Sequence, residues 1–202
     1  MNTGRRIAVG AVVALGAALA FAGCAIVAER GGGMGNGMDH DGMGQTDGSS
    51  EFNRADIMFA QMMIPHHEQA IEMSDVILAK DGIDQRVTEL AQQIKDAQAP
   101  EIELMEDCLD AEGLSPSGDM NGMDHGDGMM SQDDMDALQE AEGADAARLF
   151  LEQMIEHHEG AVEMAQDELE TGEDPEIRDL AEQIIDSQTA EIALMRELLT
   201  EV

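Results

Sequence analysis

Two adjacent histidines, His66 and His67, stand in the stretch QMMIPHHEQAIEM, with Met63 before them and Met73 after them. The arrangement returns as EQMIEHHEGAVEM, where His157 and His158 lie between Met154 and Met164. Imidazole and thioether together suit copper; thioether favours Cu(I) and imidazole also accepts Cu(II), whereas a hard cation would call for oxygen ligands. A second set of such residues sits in two Gly/Asp-rich stretches. GMGNGMDHDGMG carries Met38, His40 and Met43, and DMNGMDHGDGMM carries Met123, His125 and Met129. No core exists there to need methionine, so these residues read as metal-capturing arms.

The elements that position the histidines are legible from an internal duplication. FAQMMIPHHEQAIEM, starting at Phe59, aligns with FLEQMIEHHEGAVEM, starting at Phe150, and LAQQIKDAQAPEIELMEDCL from Leu90 aligns with LAEQIIDSQTAEIALMRELL from Leu180. The spacing slips by one residue between the blocks, around KDGID in one copy and TGEDP in the other, which marks a loop of different length. Each copy therefore reads as helix, short turn, helix, and no run alternates as a strand would. Asn53 is suited to cap the first helix, with Asp56 three residues on and Phe52 placed to staple against Ile57. Two such hairpins predict an all-α, four-helix bundle; a long unit occurring only twice is no solenoid. Residues 51–112 and 131–202 would form the two hairpins of one bundle. Residues 24–50 and 113–130 read as disordered tether and linker, and 131–142 as a short helix capped by Ser131.

Helical spacing places the histidines on the buried side. One stripe runs Ile57, Ala60, Ile64, His67, Ile71, Ser74, Leu78, and its counterpart Arg148, Leu151, Ile155, His158, Val162, Ala165, Leu169. The neighbouring stripe holds Phe59, Met63, His66, Ala70 and Met73, matched by Phe150, Met154, His157, Ala161 and Met164. In the second helix of each hairpin, Gln98 with Glu101, and Gln188 with Glu191, interrupt an apolar seam. Folding the hairpins about Asp81–Gly82 and about Gly172 sets the histidines level with Gln98 and Gln188. The expectation is one polar layer, with Gln98, Glu101, Gln188 and Glu191 supporting the histidines. Buried polar groups without partners cost ~1–3 kcal/mol each, so this layer must bond internally or hold something. A purely structural role, fixing the bundle's register, is the competing reading.

Residues 1–23 read as an export signal: Arg5 and Arg6, an apolar run from Ile7 to Leu19, then Phe21-Ala22-Gly23-Cys24. The cysteine after Ala-Gly resembles a bacterial lipobox, which would make Cys24 the lipidated anchor to the extracytoplasmic face of the cell membrane. Cys108 is then the remaining thiol and reads as a small buried apolar residue. Acidic residues number 44 against 10 basic, and without Arg5 and Arg6 the net charge is −36. Nucleic acid is excluded as a partner by that balance, since phosphate binding needs Lys and Arg.

The repeated HH motif with flanking Met, followed by Q-x-x-E-I-x-x-M, resembles the DUF305 family over about residues 52–110 and 131–200. The resemblance implies an exported bacterial protein with a ferritin-like four-helix arrangement, and some members of the family bind copper. Carried over by motif, the metal residues would be Met63, His66, His67 and Met73, then Met154, His157, His158 and Met164. An extracytoplasmic copper protein serving sequestration, storage or delivery is thus expected, against a partner-binding acidic lipoprotein whose polar layer is only structural. A di-metal enzyme fits poorly, because such bundles use Glu-x-x-His and this sequence contains none.

Overall fold

The computed structural model describes residues 52–116 and 128–202. Among them are five helices and no strand: α1 (Arg54–Leu78), α2 (Gln85–Ala111), α3 (Gln132–Glu140), α4 (Gly143–Thr171) and α5 (Pro175–Leu198). The Asn53 side chain accepts from the Ala55 and Asp56 amides, and the Asp56 carboxylate accepts from the Asn53 amide, closing a capping box at α1. Ser131 and Asp134 form the same box at α3. Pro175 begins α5, where its missing N–H would have had no helical acceptor.

α1 packs on α2 and α4 on α5, and the two hairpins meet chiefly along α1 and α4. Two apolar clusters fill the bundle. One joins the end of α1 (Ala70, Met73, Ile77) to the start of α4 (Ala147, Phe150, Leu151, Met154), with Met135 and Leu138 of α3 added. The other joins the start of α1 (Phe59, Ala60, Met63, Ile64) to the later part of α4 (Ala161, Ala165) and to α5. α1 and α4 are therefore antiparallel, and the histidines fall between the clusters.

The inward face lies between the two predicted stripes rather than on the first of them. Phe59, Met63, His66, Ala70 and Met73 are buried, whereas Ile57, Ile71 and Leu78 are half-buried and Arg148 is exposed. The reason is that α1 has two partners, α2 and α4, so a wider arc is covered than one seam supplies.

The linker reading needs correction at both ends: Leu114 packs on the second apolar cluster and Gln61 Nε2 donates to the Ser115 carbonyl (2.9 Å), while residues 128–130 are seated on the bundle. Gln69 Nε2 donates to the Met130 carbonyl (2.9 Å) and the Met130 amide donates to Gln69 Oε1 (2.7 Å), so one side chain stands in for a strand partner. Gly128, at φ 94°, passes so close to α4 that a β-carbon there would lie 2.7 Å from the Glu156 carbonyl oxygen and 3.0 Å from Gly160 Cα. Gly128→Ala should therefore cost about 2–3 kcal/mol, from left-handed backbone strain and overlap with a rigid helix. Thermal unfolding checks this; an unchanged midpoint would mean that the linker end does not rest on α4.

Among the described residues no helix is long and apolar enough to cross a membrane. Cys24 and the export segment, the arm residues Met38, His40 and Met43, and Met123 and His125 lie outside the described residues. Cys108 is buried in the second apolar cluster, in keeping with a small apolar role.

Candidate metal centre

Each histidine pair sits midway along a long helix, where neither ring can reach bulk water. His66 and His157 are each 1% exposed, and His67 and His158 are fully buried. α1 runs on through Pro65, just before the pair, and α2 runs on through Pro100, just before Glu101. Glu156 and Ala190 occupy those places in the second copy. The prolines are thus a feature of one half.

Two dyads close the outer edges of the layer. His67 Nε2 lies 2.7 Å from Glu101 Oε2, and His158 Nε2 lies 2.7 Å from Glu191 Oε2. The glutamates, not the glutamines level with the histidines, are the partners. Side chains on a helix lean toward its N-terminus, so across an antiparallel hairpin two long side chains meet upstream of both their Cα atoms. A carboxylate only accepts, so each Nε2 carries a hydrogen, and in the neutral form of the ring Nδ1 is the atom that presents a lone pair. Those Nδ1 atoms of His67 and His158 are buried without a hydrogen-bond partner, as are the Oε1 atoms of Gln98 and Gln188.

Between the dyads, the rings of His66 and His157 touch, with centroids 3.7 Å apart and planes tilted by 39°. Both nitrogens of His157 are buried without a hydrogen-bond partner. Burial, then the neighbouring imidazoles of His66, His158 and His67, hold its pKa well below the usual histidine range; a weaker opposing effect comes from the His66 backbone. His157 is accordingly neutral at physiological pH, the form in which imidazole binds metal.

The methionines divide two and two around the layer. Met73 and Met154, both fully buried, belong to one apolar cluster; Met63, fully buried, and Met164, half-buried, belong to the other. Each side of the histidine layer therefore carries one methionine from α1 and one from α4. Met129 is half-buried beside the clamped Met130. Among the described residues no three His, Cys, Asp or Glu side chains are gathered as a metal-holding group. The donor types at this level, imidazole and thioether, are those of soft-cation chemistry rather than of a hard ion in a carboxylate cage, and Glu101 and Glu191 are engaged by histidine, as carboxylates that orient imidazoles are.

Sequence reasoning brought the four histidines and their glutamates to one level, and missed Gln69. The missed signal was available: Gln69 aligns with Gly160, so a polar side chain and a bare backbone occupy equivalent places where the linker end docks.

A duplicated helical hairpin closing a four-helix bundle around paired histidines is the class that fold and site define. The chain belongs to the DUF305 family, whose model, described as a domain of unknown function, matches residues 56–199. A DUF305 protein from Streptomyces coelicolor is 35% identical, with a TM-score of 0.68 over 73% of this chain and 93% of the other. A DUF305 fragment from Deinococcus radiodurans is 30% identical, with a TM-score of 0.67 over 75% and 99%. CopM in its Cu(II)-bound form is 37% identical, with a TM-score of 0.63 over 72% and 95%. No curated protein matches the chain.

Proposed function

We propose that this protein is an extracytoplasmic copper-binding protein, not an enzyme, that holds copper for sequestration, storage or delivery. The contact of His66 with His157, in a buried layer where His157 and the Nδ1 atoms of His67 and His158 have no hydrogen-bond partner, carries the reading. His66, His67, His157 and His158 supply nitrogen, and Met63, Met73, Met154 and Met164 stand on either side with thioether sulfur. Such a set neutralises the cost of the buried lone pairs and favours Cu(I), which accepts low coordination by soft ligands. A similar protein supports the reading: CopM is solved with Cu(I), Cu(II) and Ag bound. The signal-like N-terminus supports export, and Cys24 would supply a lipid anchor.

The two His–Glu dyads favour the second reading, in which the layer only fixes how the hairpins align. One titration separates them. Metal-free protein lacking residues 1–23 is expected to bind Cu(I) against a competing chelator and to melt later. The gain is about 2.7 kcal/mol when free copper reaches 100 times the dissociation constant. Unchanged melting with Cu(I) and Cu(II), together with a copper stoichiometry indifferent to replacement of all four histidines, would leave only the structural role.

A further inference from the structure

Away from the histidines, one end of the bundle buries two acids. Asp56 is fully buried in the first turn of α1, and Glu168 is 2% exposed near the end of α4. Asp56 Oδ1 accepts the amides of Glu173 (3.0 Å) and Asp174 (3.1 Å), in the turn between α4 and α5, while Oδ2 accepts the Asn53 amide. The Asp56 oxygens thus act as acceptors to three N–H donors. No N–H group donates to either oxygen of Glu168, so only a proton of its own can bond it to Asp56. Gly172 leaves the space that both acids use: a β-carbon there would lie 1.7 Å from Glu168 Oε1 and 2.8 Å from Asp56 Oδ1.

Duplication supplies an internal control. The counterparts of Asp56 and Glu168 are Ala147 and Ile77, both buried in the apolar cluster at the opposite end. The fold thus accepts an apolar pair at this place, and the acids are a departure confined to one end. The other charged groups facing Glu168 come from α5 and its turn. Arg178 is committed to the Leu169 (2.8 Å) and Gly172 (2.9 Å) carbonyls, and Asp174 is committed to the Glu176 and Ile177 amides.

We propose that Glu168 and Asp56 share one proton, forming a latch that ties the start of α1 to the α4–α5 turn and loosens as pH rises. A protonated Glu168 supplies the donor that its surroundings lack, aimed at the Asp56 carboxylate; when the proton leaves to solvent, two buried negative charges face each other. Burial first, then the hydrogen bond to Asp56 and its charge, push the Glu168 pKa up to about 8, with Arg178 opposing and Asp174 adding to the rise. The folded protein keeps a proton that the unfolded chain releases above about 4.5, so stability falls as pH rises from about 4.5 to 8 and levels off beyond.

The test uses metal-free protein. Carboxyl ¹³C NMR should show Glu168 titrating near 8, and denaturant unfolding from pH 4.5 to 9 should be compared with Glu168→Gln and with Glu168→Ile, the residue of the other copy. Relative to either variant, the unfolding constant of the parent is expected to rise about tenfold per pH unit inside the window. Titration of Glu168 between 4 and 5 would overturn the latch, as would parallel pH profiles for parent and variants. A fall of the Glu168 pKa by more than one unit in millimolar calcium chloride would also overturn it, assigning the oxygens to a hard cation. Should both variants fail to fold, the NMR titration of the parent decides alone.

Discussion

Leucine in place of His157 is expected to leave the metal-free bundle as stable as the parent or more stable and, on the proposed function, to weaken copper binding by at least about 100-fold. His157 contributes two buried nitrogens without hydrogen-bond partners, each costing roughly 1–3 kcal/mol, and leucine fills a similar volume without them. A gain of about 1 kcal/mol corresponds to a rise of about 2–4 °C in a domain of this size. The loss in affinity exceeds the 10–100-fold typical of residues that merely orient a ligand, because one of two touching imidazoles is gone. His67→Leu behaves differently in the metal-free state. It strands Glu101, only 7% exposed, and should cost about 1–3 kcal/mol. Thermal unfolding with and without Cu(I), and competition with a chelator, measure both effects. A His157→Leu protein that unfolds without metal would show the layer to be structural; one that keeps parental affinity would move the copper elsewhere.

Removal of Asp56 by alanine is expected to cost about 3 kcal/mol, the largest stability effect of any single truncation outside the apolar clusters. Its carboxylate completes the α1 capping box and holds the Glu173 and Asp174 amides, so alanine leaves three N–H groups without an acceptor. Each charge-assisted bond is worth roughly 1.5–3 kcal/mol, and relief of Glu168 returns part of the sum. The melting midpoint should fall by about 6–12 °C. Asp56→Asn keeps one acceptor oxygen and should lose less. A midpoint for Asp56→Ala within about 2 °C of the parent would show that the clamp contributes nothing.

Asp56 illustrates how far sequence reading reached. Its place three residues after Asn53 predicts the capping box, a local pattern that spacing alone encodes. Its grip on Glu173 and Asp174 joins residues more than a hundred positions apart, and no local pattern encodes that. Glu168 was nearer to legible, since an acid aligned with a buried-face isoleucine of the other copy is an anomaly that the duplication exposes. The histidine layer was legible in outline because helical period reports which face a residue occupies. Its bonding was not, because Gln98 and Glu101 share that face and only side-chain lean selects the glutamate.

By itself the sequence determined the helices, their caps, the duplication, the family and the presence of four histidines at one level of a bundle. These follow from periodicity, turn chemistry and self-similarity, all of which act within a few residues or between copies. Tertiary structure alone decided that His66 meets His157, that the four methionines split two and two across the layer, that Gln69 holds the linker end, and that Asp56 faces Glu168. Those pairings depend on which helices touch and at what height, quantities set by the packing of two hairpins against each other and invisible in either hairpin's own spacing.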